Sequence, residues 1–87
     1  MIITKLNNKF VETRIDDEVV LMNIDTGNFY ALKKSSLAIW DMIATTNTKA
    51  SIITELTAQF SVSHDQCEAD VDSFLTEVEK AGFVTLA

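Results

Sequence analysis

Eighty-seven residues, 47% of them apolar, with no proline and two glycines, describe one small domain built on a single modest core. The net charge is −6, and the acids crowd the last third, where Asp65, Glu68, Asp70, Asp72, Glu77 and Glu79 stand against Lys80 alone. That balance excludes a surface for DNA or an anionic membrane and leaves room for a basic or neutral partner, although an acidic helix ordinarily serves as a solvated face.

Met1 to Phe10 has neither a long apolar run nor a small-residue cleavage site, and no segment approaches the ~20 apolar residues of a membrane span. Met1 to Asn8 is uninformative, its Ile2 and Ile3 being able either to pack on the sheet or to fray. Phe10-Val11-Glu12-Thr13-Arg14-Ile15 reads as a first strand, with Phe10, Glu12 and Arg14 on one face. Asp16-Asp17 turns the chain into a second strand, Glu18 to Ile24. This strand is apolar on both faces, as expected of one lying between neighbours.

Asp25-Thr26-Gly27-Asn28 is a turn cluster, where Gly27 supplies φ > 0 for a type I turn closing in a glycine bulge. Phe29 to Leu32 resumes the strand character. The expected sheet is a three-stranded antiparallel meander whose third strand has an unpaired outer edge. Such an edge accepts an extended peptide as one more strand.

Ser35 or Ser36 is placed to cap a first helix, with Leu37, Trp40, Ile43 and Ala44 on one stripe and Ile39 and Met42 widening it. Trp40, the largest apolar group, reads as a core anchor. Asn47 or Thr48 caps a second helix running to about Phe60, with Ile52, Ile53, Leu56 and Phe60 inward. The third helix has the clearest ends. Ser63-His64-Asp65-Gln66 reads as a capping box, Val62 and Cys67 as a hydrophobic staple, and Gly82-Phe83 as the exit. Cys67, Val71, Phe74, Leu75, Val78 and Ala81 keep its apolar rhythm, and Phe83 to Leu86 forms a tail that packs back on the body. The fold class is α+β, a small winged-helix-like domain with a βββααα order, and residues 1–87 form a single domain.

Catalytic chemistry is poorly supplied. His64 is the only histidine and sits at an exposed helix start, and Cys67 is the only cysteine. A structural zinc site needs four N or S ligands, and these two residues fall short of that. Cys67 as a nucleophile needs a depressed pKa, whereas the staple buries it. The expectation is no enzymatic activity, no metal, no cofactor and no disulfide, in the reducing setting of the cytoplasm. A winged-helix outline also suits DNA recognition, but the third helix is acidic and Lys33, Lys34 and Lys49 are too scattered to track phosphates.

The run from Tyr30-Ala31-Leu32 through Ser35-Ser36-Leu37-Ala38-Ile39-Trp40 resembles the "L-N-x-x-(G/A)-x-x-I-W" segment of PqqD-like proteins. Asp70-Val71-Asp72-Ser73-Phe74-Leu75 through Gly82-Phe83-Val84 is similar to their closing "D-V-x-x-F-L-x-x-L-x-x-x-G-L-V". The likeness spans roughly residues 10–86, with Lys33 in place of the usual Asn and Ser36 in place of the usual Gly or Ala. The resemblance implies a recognition element for the leaders of ribosomally made, modified peptides. It implies a leader paired antiparallel with the third strand, its apolar side chains dropping between that strand and the third helix. The hairpin Asp25 to Leu32 is nearer the stand-alone proteins of lasso-peptide pathways, which present a precursor to a leader peptidase and a cyclase. Related proteins deliver a precursor to a radical SAM enzyme.

Resemblance and residues meet at one surface. Asn28, Phe29, Tyr30, Ala31 and Leu32 would supply the pairing strand. Val71, Phe74, Leu75 and Val78 would form an apolar wall, with Asp70, Ser73 and Glu77 at its rim. For Phe74 and Leu75 ordinary core packing is the stronger reading. The rim acids would steer a leader carrying Lys or Arg. A second hypothesis is a structural subunit whose open edge pairs with another protein chain or, as a homodimer, with itself.

Overall fold

The computed structural model describes residues 2–46 and 48–87. Strands β1 (Ile3–Lys5), β2 (Phe10–Ile15), β3 (Glu18–Asn23) and β4 (Phe29–Lys33) precede helices α1 (Ser35–Ile43), α2 (Lys49–Gln59) and α3 (His64–Lys80), and β5 (Val84–Leu86) closes the chain. The central meander β2-β3-β4 is antiparallel, with β3 in the middle. The expected βββααα body is therefore present, with one addition. The N-terminal segment and the tail pair with each other, β1 against β5, because Ile3 and Val84 are both buried. Short segments with one buried residue each carry too little periodicity to announce a strand.

Side-chain parity settles which face of the meander is covered. Phe10, Val19, Leu21 and Leu32 are buried beneath the helices. The opposite parity, Val11, Thr13, Ile15 and Ala31 among others, faces away. Trp40 and Phe83, both 0% exposed, anchor the core. Phe10 lies between them at ring distances of 5.4 and 5.5 Å, edge-on to each. Burying an indole requires a partner for its N–H, and Trp40 Nε1 donates to Glu12 Oε1 at 2.9 Å. Arg14 Nη2 donates to Asp41 Oδ1 at 2.8 Å, and the Lys5 ammonium lies 4.1 Å from the indole ring centre. Partial burial lowers the Lys5 pKa, opposed by the nearby Glu12 and Asp41.

The helix ends differ in part from expectation. Neither Ser35 nor Ser36 caps α1. Lys34 occupies the N-cap with φ 52° and ψ −118°, and no side chain caps the helix. Thr48 does cap α2, accepting from Ser51 N–H at 3.4 Å, while Asn47 lies outside the described residues. Phe60 is not inward: the chain leaves the helix there with extended φ and ψ, and its ring is 47% exposed. Ala44, past the end of α1, is also exposed. Ser63 caps α3, accepting from Gln66 N–H at 3.2 Å. The Gln66 side chain does not complete the box and donates to Asp70 Oδ1 at 2.9 Å instead.

The far end of α3 closes as a Schellman motif. Phe83 N–H donates to Val78 O at 2.9 Å and Gly82 N–H to Glu79 O at 3.1 Å, with Gly82 at φ +85°. The β3-β4 loop closes over four residues, one more than a type I turn with its glycine would take, and Gly27 holds the expected bulge position with Asn28 opposite Asn23. Gly27, at φ +76°, donates to Asn23 O at 2.8 Å, and Asn23 N–H donates to Asn28 O at 2.9 Å. Ile24, expected to end the second strand, lies in this turn and is 53% exposed.

The Trp40–Glu12 bond generates a first prediction. Glu12→Leu strands a buried indole N–H and should cost about 1–3 kcal/mol in chemical denaturation. Glu12→Gln keeps an acceptor and should stay within about 1 kcal/mol of the parent.

Candidate functional site

The site is built from the open edge of β4 and the groove beside it. In the antiparallel β3-β4 pair, Asn23 and Asn28 share a hydrogen bond, and the register pairs Leu21 with Tyr30 and Val19 with Leu32. Bonded pairs alternate along such a ladder, so Tyr30 and Leu32 spend their backbone groups on β3, while Asn28 gives its carbonyl to Asn23 and donates its N–H to Thr26 Oγ1. The outward N–H and C=O groups belong to Phe29, Ala31 and Lys33. Among the described residues no strand pairs with this edge. Lys33 thus joins the expected edge residues, and Asn28 faces inward. Counting parity back from the turn is the signal that finds Lys33.

Tyr30 and Leu32 point to the helical side. Leu32 is buried, and Tyr30, 37% exposed, stands edge-on to Phe83 at 5.2 Å. Because Tyr30 lies near the end of α3 and Ser35 near Asp70, α3 runs opposite in direction to β4. Just past the end of β4, between α1 and α3, opens a cleft of about 190 Å³, lined by Ser35, Ser36, Ile39, Asp70, Phe74 and Glu77, with Ser73 beside them. Val71, Leu75 and Val78, at 0, 2 and 3% exposure, are packed inside the core, so the cleft wall available to a ligand is Phe74. Asp70, Ser73 and Glu77 are exposed at the rim.

The cleft continues past Ser35, Ile39 and Asp70 into a larger apolar pocket of about 550 Å³. Leu56, Phe60, Val62 and Cys67 line it, with Lys34 at its mouth. This pocket was not foreseen from the sequence. Its signal is two large apolar residues, Phe60 and Val62, placed just beyond a helix end, where 47% and 44% of their surfaces stay exposed. Cys67 is buried, and burial, followed by the charge of Asp70, raises its thiol pKa. That is the opposite of an activated nucleophile. Lys49 pairs with Asp72, which raises the lysine pKa. Among the described residues no three His, Cys, Asp or Glu side chains gather as a metal site.

Residues 18–84 match the family Coenzyme PQQ synthesis protein D (PqqD). The chain belongs to the PqqD family. Solved structures share its fold. One, TbiB1 in complex with the TbiA(beta) leader peptide, is 26% identical with a TM-score of 0.84, covering 95% of this chain and 96% of that one. Another, lasso peptide synthetase B1 complexed with the leader peptide, is 18% identical with a TM-score of 0.80, covering 90% and 92%. At that lower identity the likeness concerns the fold alone. No curated protein matches the chain. In this PqqD domain the cleft and the pocket share Ser35, Ile39 and Asp70, and both begin within two residues of the end of β4.

Two predictions concern this region. Lys34 holds φ 52° and ψ −118°, a conformation that glycine favours, at the junction of strand edge and pocket. Lys34→Gly should stabilise the domain by about 1 kcal/mol, relief of strain exceeding the glycine entropy cost, and raise the melting temperature by roughly 4–8 °C. Native Cys67 should resist iodoacetamide at pH 8, with alkylation at least ~10-fold slower than in denaturant, as read by mass spectrometry.

Proposed function

We propose that this chain is a non-catalytic leader-binding protein of lasso-peptide biosynthesis. It captures the leader of a ribosomally made precursor as an added strand on β4 and presents it to a leader peptidase and a cyclase. The observation that carries this reading is the unpaired edge at Phe29, Ala31 and Lys33, which ends two residues before Ser35 at the Phe74 cleft. The similarity to TbiB1, whose complex contains a leader peptide, supports it.

The geometry adds direction. A leader antiparallel to β4 enters beside Lys34 and leaves past Phe29 and Asn28. Side chains on its Tyr30–Leu32 side face the cleft, and an apolar residue near its N-terminal end fits the pocket of Leu56, Phe60 and Val62. Asp70 and Glu77, about 10 Å apart along α3, favour basic leader residues two to four positions apart. Backbone pairing supplies affinity, and pocket and rim supply selection.

The family's name, a coenzyme PQQ synthesis protein, leaves a second reading open, a peptide carrier for a radical SAM enzyme. The precursor encoded beside this protein discriminates between the two. Fluorescence anisotropy with the labelled leader should saturate in the low micromolar range, and no saturation by tens of micromolar would overturn the proposal. N-methylation at alternate leader positions should abolish binding wherever the amide faces β4 and be tolerated between, because each buried modification removes a ladder donor. Equal tolerance at all positions would mean docking by side chains alone.

A further inference from the structure

Lys34 stands where the edge of β4 gives way to the apolar pocket, and it lines two cavities at once. One is the pocket of Leu56, Phe60 and Val62. The other, of about 540 Å³, lies by the turn between β2 and β3, with Arg14, Asp16, Asp17, Glu18 and Lys33 on its walls. The Lys34 backbone is held at φ 52° and ψ −118°, and a cation there opposes the dipole of α1, whose first turn carries no acid. Both features cost stability. Backbone strain of this kind clusters at ligand-binding positions, where a side chain has a task outside the fold.

Within the fold this side chain is unmatched. Among the described residues Arg14 pairs with Asp41 and Glu12, Lys33 with Glu18, Lys9 with Asp25 and Lys49 with Asp72. Lys5 lies over the Trp40 ring, and Lys80 ends α3, near the start of β4 rather than its end. Lys34 makes no ion pair among the described residues, although Asp16 and Asp17 share the second cavity with it. Across the apolar pocket Asp70 accepts from the Gln66 side chain at 2.9 Å, a bond within α3. The pocket therefore has a free cation on its α1 lip and a carboxylate on its α3 lip, around an apolar interior.

We infer that Lys34 is a specificity-determining residue that selects an acidic side chain in the leader, next to the apolar residue that fills the pocket. The inference rests on the leader-binding reading above and adds a charge pattern to it. A strand antiparallel to β4 carries its N-terminal part past Lys33 to Lys34, one residue beyond the last edge position. Successive side chains of a strand point to opposite sides. When one of them enters the pocket, its neighbours turn toward the second cavity, and the flexible four-carbon stem of Lys34 serves either side. The preferred leader is thus acidic beside its apolar anchor and basic further on, toward Glu77. A uniformly basic segment, which the acids of α3 alone would favour, meets repulsion at Lys34.

The test is a positional scan of the labelled leader encoded beside this protein, each residue replaced in turn by Glu and by Lys, read by anisotropy at low salt. With the wild-type chain, a position next to the apolar residue whose loss most weakens binding should favour Glu over Lys at least ~5-fold. Lys34→Gln should bring that ratio within about twofold, and Lys34→Glu should invert it. The wild-type ratio should fall toward one as salt rises to about 0.5 M. Lys34→Gly separates charge from folding: it should melt higher than the wild type and still lose the preference. A Glu preference that persists in all three variants overturns the inference, as does the absence of any such position. A preference that Lys33→Gln removes and Lys34→Gln leaves intact also overturns it. Absence of leader binding by the wild type would instead fell the reading on which it rests.

Discussion

One side-chain amide ties the two halves of this domain together. Asn23 Oδ1 accepts the N–H groups of Asp25 and Thr26 at 2.9 and 3.1 Å, which shapes the turn before β4. The same side chain donates through Nδ2 to Ala81 O at 2.8 Å, satisfying a carbonyl that the end of α3 leaves over. Gly82 is the position next to this bond, and a Cβ there would lie 3.6 Å from Asn23 Nδ2. Hairpin and helix are therefore held at one end by the amide and by the Tyr30–Phe83 contact. The clamp sets the spacing between β4 and α3 at that end. At the other end the walls diverge into the pocket of Leu56, Phe60 and Val62, where residues beyond the end of α2 replace a tight contact.

Much of this was legible in the residues. Strand β2, the centre of β3, the inward rhythm of α3 and its Ser63 and Gly82 ends follow from period and capping chemistry, which are local signals. The open edge followed as well, because a three-strand meander must end somewhere. The failures share a cause. The β1-β5 pair, the outward turn of Phe60 and the use of Lys34 as an N-cap each depend on contacts distant in sequence, and local propensity carries no record of them. Lys34 is instructive: two serines stand next to it, yet the chain must turn sharply from β4 onto the sheet, and the helix begins before either can cap it. The wall of the cleft is a similar case. Periodicity marks Val71, Phe74, Leu75 and Val78 as one apolar face, but only packing decides that Phe74 alone reaches the cleft.

The two faces of the sheet divide the physical tasks. On the helical side, apolar area is consumed by the core, and what remains is a narrow cleft bordered by carboxylates. That combination suits a partner that supplies backbone groups to the strand edge first and side chains to the cleft second. The outer face offers apolar area without backbone groups. Phe29 is common to both, because its backbone lies on the edge and its ring on the outer face.

An exposed edge of the kind found at β4 invites pairing with another copy, and proteins restrain this with charge. Lys33 sits on the edge itself, but its charge is matched by Glu18. The stronger restraint is α3. Two copies joined antiparallel through β4 would bring their α3 helices to the same side of one continuous sheet, with Asp70 and Glu77 of each facing the seam. Like charges there oppose self-pairing, and they do so most at low salt, where the screening length is longest. The same carboxylates attract a basic peptide strand. The acidity of α3 thus separates the two occupants that an open edge would otherwise accept equally, and it does so without any contact that specifies sequence.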